Sequence, residues 1–179
     1  SVTNPLTQAQ VDVVSGTTPY TLGFRKAYKL TNGDQTLGVA PRVRLEINIE
    51  AQDIVNSGWN YLSSSSFLTV QFWVKSSVAQ SFKGFFRTFD GTTYDYPFDT
   101  GSLSANTWTK VTKTIPGNSN LQIDNNNELG LQIGLCQYFG TQYTDNSKTE
   151  NAWSAYNSSS RTPDQTSTWY TTNGATFEF

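Results

Sequence analysis

Polar and apolar residues alternate with a period of two along most of this chain. Across Arg42 to Glu50 the apolar residues Val43, Leu45, Ile47 and Ile49 share one face, and Arg42, Arg44, Glu46, Asn48 and Glu50 share the other. That alternation is the mark of a strand with one face buried and one wet. On a helix the same apolar residues would scatter around the cylinder. Phe67 to Lys75 repeats the pattern, with Leu68, Val70, Phe72 and Val74 inward and Thr69, Gln71, Trp73 and Lys75 outward. Ser81 to Phe89 and Tyr94 to Phe98 flank Asp90-Gly91-Thr92-Thr93 and read as a hairpin. Trp108 to Ile115 alternates and stops at the turn signal Pro116-Gly117. From Leu129 to Leu135 apolar residues fall at every second position with Gly130 and Gly134 between them, which predicts close approach of another backbone or a covered face.

Weaker strands are predicted at Val11 to Val14 and Phe24 to Leu30, a short one at Ala175 to Phe179, and one helical turn at Ala51 to Asn56, closed by Ser57-Gly58. Residues 140–173 show no sustained period and read as one long loop near the C-terminus. Loops of that length are uncommon in compact domains and tend to carry function. The expectation is an all-β fold: an antiparallel β-sandwich, a jelly roll of about 8–10 strands. It forms a single domain over residues 1–179.

Composition narrows the chemistry. The 179 residues include no histidine, no methionine and one cysteine, and Lys plus Arg (12) nearly balances Asp plus Glu (14). Without histidine there is no Ser-His-Asp triad and no imidazole metal ligand. One cysteine excludes an internal disulfide. A net charge of −2 gives no long-range pull on a polyanion, so nucleic acid is not an expected partner. No apolar run approaches the ~20 residues of a membrane helix, so no membrane insertion is expected. Aromatic residues make up 14% of the chain, so the core is expected to be thin in aliphatics and thickened with rings. The absence of an initiator methionine leads to the expectation of a processed product or a fragment of a longer protein.

Three segments carry a resemblance. They are Arg42 to Ile54 (RVRLEINIEAQDI) with Gly58-Trp59, Leu68 to Ser77 (LTVQFWVKSS), and Thr107 to Gly117 (TWTKVTKTIPG). Together with Leu129 to Leu131 and Asn173 to Phe177 they resemble a domain of virion proteins of tailed bacteriophages, especially marine ones, over roughly residues 20–179. The third segment also resembles carbohydrate-binding modules. The resemblance implies a jelly-roll domain of a tail-fibre, tail-associated or head-decoration protein. It further implies a location in the virion, other virion subunits as partners, a homo-oligomer, and host-surface polysaccharide as a candidate ligand. It carries over no catalytic residue. The alternative is a carbohydrate-binding module of a secreted polysaccharide-degrading enzyme.

Rings that stack on the apolar face of a sugar, among groups that bond its hydroxyls, would form a glycan site. Trp153, Tyr156, Trp169 and Tyr170 in the long loop are candidates, with Trp73 on the outer face of its strand. The plainer alternative is that the loop rings pin the loop to the sheets and that Trp73 lies under a covering segment or subunit. Asp95 and Asp99 share strand parity, and a carboxylate pair could act as acid and base, but solvated rim positions are the expected reading. No cofactor is expected. For a structural Ca²⁺, Asp124 and Glu128 in the oxygen-rich Asp124-Asn-Asn-Asn-Glu128 stretch are the candidate ligands, the alternative being a polar turn. Cys136 is expected to be a small buried hydrophobe. Arg25, Lys26, Lys29, Arg42 and Arg44 form the densest basic group, expected to pair across strands with Glu46 and Glu50.

Overall fold

In the computed structural model of the chain, residues 5–179 are described; residues 1–4 of the expected 1–179 domain lie outside them. The elements are β1 (Thr7–Asp12), α1 (Thr18–Thr21), β2 (Lys26–Thr31), β3 (Arg42–Glu50), α2 (Ala51–Val55), β4 (Phe67–Ser76), β5 (Lys83–Thr88) and β6 (Tyr94–Asp99). They continue with β7 (Thr109–Pro116), β8 (Leu129–Phe139), β9 (Ser154–Ala155), α3 (Thr168–Thr171) and β10 (Thr176–Glu178). The strands form two five-stranded antiparallel sheets, ordered β1-β2-β10-β4-β7 and β3-β8-β5-β6-β9. With the outer strands β1 and β9 set aside, β2-β10-β4-β7 against β3-β8-β5-β6 is the eight-stranded double Greek key of a jelly roll.

The alternation places the core between the sheets. Val74 and Ile115 from one sheet and Phe86, Phe98 and Leu131 from the other are almost wholly buried. Rings fill much of this space, as the composition requires: Phe82 meets Phe177 edge to face at 4.8 Å. Gly130 and Gly134 answer two different needs. A Cβ on Gly130 would lie 2.4 Å from the Ala51 backbone, where the turn α2 crosses β8. A Cβ on Gly134 would lie 2.3 Å from the Phe85 ring on the outer face.

The N-terminal strand and the long region near the C-terminus depart from the sequence pattern. β1 runs from Thr7, not Val11, because its register is set by pairing with β2 and not by its own polar sequence. Val13 instead follows the strand and is buried. The region 140–173 is not structureless: it contains β9, α3 and a bridge between Thr144 and Thr162. Tertiary anchors that no local period reveals hold it in place.

Candidate functional site

The four rings of the long region do not form one platform. Trp169, on α3, is fully buried and meets Phe82 at 6.4 Å, and its backbone N–H donates to Gln80 Oε1 at 2.8 Å. Tyr170 is buried and stacks on Tyr138 at 4.2 Å and 10°. Neither ring can reach a sugar, which corrects their candidacy; they belong to the core that closes over β8 and β10. Tyr156 lies over the Arg87 guanidinium at 4.3 Å. Trp153 packs on Tyr96 at 5.3 Å and donates from Nε1 to Pro116 O at 2.7 Å, tying the loop to the end of β7. Its remaining exposed surface borders an open, polar depression of about 390 Å³ with Ser147, Lys148, Thr149, Ser154 and Asn157.

Beneath this region the outer face of β5 and β6 carries the carboxylates. Asp95 and Asp99 do share a strand face, yet each is held by a separate cation. Asp95 is fully buried and takes a forked contact from Arg87, with Nε to Oδ1 at 2.7 Å and Nη2 to Oδ2 at 3.3 Å. Burial pushes the Asp95 carboxyl up, against the pull of Arg87. Phe85 and Tyr156 cover the guanidinium, at 4.6 and 4.3 Å. Asp99 accepts from Lys83 Nζ at 2.9 Å, and Lys83 also reaches Glu150 on the loop. Burial alone would raise the Asp99 carboxyl, but hydrogen bonds from Lys83, the Gly101 N–H and Ser81 hold it below its ordinary value. These are ion pairs that fasten the loop, and the solvated rim expected for Asp95 is overturned by its burial.

The Ca²⁺ candidates lie on an exposed turn. Asp124 Oδ1 accepts from Gln122 at 3.3 Å, and the Asp124 N–H donates to Asp90 at 2.9 Å. The Glu128 N–H donates to Asn126 Oδ1 at 3.0 Å. Among the described residues no three His, Cys, Asp or Glu side chains stand together to hold a metal ion. Cys136 is buried, and burial pushes its thiol up, so it stays protonated. Of the basic group, Arg44 pairs with Glu46 at 2.6 Å along β3 itself and not across strands as expected, whereas Lys26 pairs across to Asp12 and Arg25 covers the Tyr20 ring at 4.1 Å.

Trp73 borders a groove on the outer face of β4. Its strand parity aims it outward from β4, and Trp108 lies nearby, with Lys75 Nζ 5.1 Å from the Trp108 ring centre. Both tryptophans line a groove of about 490 Å³. The α1 segment forms the far wall, where buried Val13 and Pro19 hold the turn down and leave Leu22 and Phe24 more than half exposed. Lys26, Ala27, Gln71, Phe72, Lys110 and Phe179 complete it. Sequence reasoning singled out Trp73 but missed the groove, because its walls come from β2, β4, β7 and α1.

No family model matches this chain, and no curated protein matches it. Among solved structures, the chain is similar to the enzymatically active domain of tailspike protein 4 of bacteriophage CBA120. The TM-score is 0.45, with 13% sequence identity over 76% of this chain. The match spans 16% of that chain's length. Among the described residues no helix is long and apolar enough to cross a membrane.

Proposed function

We propose that this chain is a non-catalytic docking domain of a bacteriophage virion, a tail-fibre or head-decoration module that engages neighbouring subunits through the Trp73–Trp108 groove. The observation that carries this reading is the groove wall. It is apolar and aromatic, with Leu22 and Phe24 exposed at its rim, and the ion-paired carboxylates Asp95 and Asp99 lie on the other sheet. Interface cores are built this way, from aromatic anchors in a water-excluding pocket. The virion context is supported by the motif resemblance. The matching residues are joints of the sandwich: Ala51 packs under Gly130, and Trp59 is buried with its Nε1 donating to Ser66 O at 3.3 Å. Light scattering over a concentration series, on the chain alone and mixed with other virion subunits, tests the reading. Association that Trp73→Ala and Trp108→Ala abolish while the fold persists is the expected result. A strict monomer whose binding partners ignore both substitutions would contradict it.

The depression beside Trp153 favours a second reading, host-glycan binding, because hydroxyls, an amide and Lys148 surround an indole edge there. Ser147→Ala with Asn157→Ala is expected to remove binding on a glycan array if this reading holds. Binding that survives both would leave the depression without that role.

A further inference from the structure

The segment between β8 and α3 lies over the outer face of β5 and β6, and the charges gathered there do not balance. Three cations surround the buried Asp95 carboxylate: Arg87, Lys148 and Arg161. Arg87 takes both of its oxygens, at 2.7 and 3.3 Å. Asp99 and Glu150 both go to Lys83, and Glu46 goes to Arg44. Among the described residues Lys148 and Arg161 make no salt bridge. Arg161 is buried against the Tyr143 and Tyr156 rings and donates from Nε to Ser158 O at 3.1 Å. Two positive charges around Asp95 are therefore left without a partner, although the whole chain carries −2.

Lys148 is the member of this cluster that borders the depression beside Trp153. Its volume of about 390 Å³ falls within the ~300–1,000 Å³ of small-ligand sites. No acidic side chain lines it. Asp145, the adjoining carboxylate along the chain, accepts the Ser147 N–H at 2.8 Å. Burial pulls the Lys148 ammonium below its ordinary value; Asp95 opposes that pull and Arg87 adds to it. That direction marks a cation short of negative charge.

The walls of the depression are fixed at several points. Asn151 takes a left-handed turn, at φ 57°, and its N–H donates to Pro97 O at 2.8 Å. On one side of that turn Glu150 reaches Lys83; on the other Trp153 packs on Tyr96 and bonds Pro116. β9 pairs Ser154 with Asp95, and the Tyr156 N–H donates to Thr93 O at 2.9 Å. Asn157 Oδ1 accepts the Ser159 N–H at 3.0 Å, which leaves the Asn157 amide nitrogen as a donor at the rim. A point charge, hydroxyls, an amide and an indole edge are thus held on one rigid frame.

We propose that the depression beside Trp153 binds an acidic sugar residue, singly charged as a uronate carboxylate or a sulfate ester, with Lys148 as its counter-ion. The anionic group sits against Lys148, the sugar hydroxyls meet Asn157 and Ser160, and the apolar edge of the pyranose lies on Trp153. This deepens the glycan reading and rests on it. A neutral sugar would leave Lys148 as uncompensated as it is in the free chain, so the surplus charge selects the acidic ligand. A lone ammonium is a point charge without the fork of a guanidinium, which suits a singly charged group.

The test is an array of uronate oligosaccharides with their carboxyl-reduced neutral forms, and of sulfated oligosaccharides with their desulfated forms, read with the folded chain. Binding to acidic members and not to their neutral counterparts is the expected result, and the acid that binds names the group. This comparison uses the unaltered chain and needs no variant to fold. Lys148→Gln should weaken the binding by about tenfold or more, the worth of one charge-assisted contact. Lys29→Gln makes the same charge change on β2, in the other sheet, and should leave binding within about twofold. Acidic binding that ignores Lys148→Gln, or that Lys29→Gln weakens as much, would overturn the site. Equal binding by a glutamate-rich peptide would overturn the sugar as its ligand. Equal binding of acidic and neutral forms, lost in the Ser147→Ala, Asn157→Ala variant, would remove the charge selection and leave the glycan reading standing. Binding to no member of the array would remove both.

Discussion

Asp95→Ala removes one half of a fully buried ion pair. The carboxylate has no exposed side-chain surface, and the Arg87 guanidinium that it holds has 8%. Alanine leaves that cation between the Phe85 and Tyr156 rings with no counter-charge. Breaking a buried pair from one side costs about 3–5 kcal/mol, because the remaining charge is uncompensated. A domain of this size loses roughly 2–4 °C of Tm per kcal/mol, so a fall of about 6–20 °C is expected in calorimetry or circular dichroism. The double substitution Arg87→Met with Asp95→Leu removes both charges and should recover much of the loss, since an apolar replacement of similar volume carries no desolvation cost. A fall of under about 2 °C for Asp95→Ala, or no recovery in the double variant, would refute the assignment of this pair as the fastener beneath the loop.

Other substitutions separate packing from binding. Trp169→Ala should cost about 3–5 kcal/mol in denaturant unfolding, as expected for a large ring removed from a core, and glycan binding by the folded fraction should be unchanged. Gly130→Ala puts a methyl 2.4 Å from the Ala51 backbone and should destabilise by about 1–3 kcal/mol, measured the same way. Asp99 supplies a pH dependence. Its folded carboxyl sits below its ordinary value, so its contribution is full above the ordinary carboxylate range, near ~4, and is lost as pH falls through the folded value. The stability gap between the wild type and Asp99→Asn, followed by thermal melts, should therefore close on acidification.

The strands were legible wherever one face is buried and one wet. Arg42–Glu50 is β3 to the residue, and Phe67–Lys75 is β4 less its last residue. β9 was not legible, because two residues paired to Tyr94 and Asp95 carry no period. The loop rings were visible as rings, but their fates depend on distant partners: Gln80 and Phe82 for Trp169, Pro116 for Trp153, and Arg87 for Tyr156. Composition cannot tell a ring that anchors from a ring that binds. The outward parity of Trp73 was readable, but the groove beside it was not, because its walls come from segments far apart in sequence.

Light scattering over a concentration series tests the docking account most directly. The folded chain, alone or mixed with other virion subunits, should associate, and Trp73→Ala with Trp108→Ala should abolish that association while circular dichroism shows the fold intact. A strict monomer whose binding partners ignore both substitutions would contradict the account.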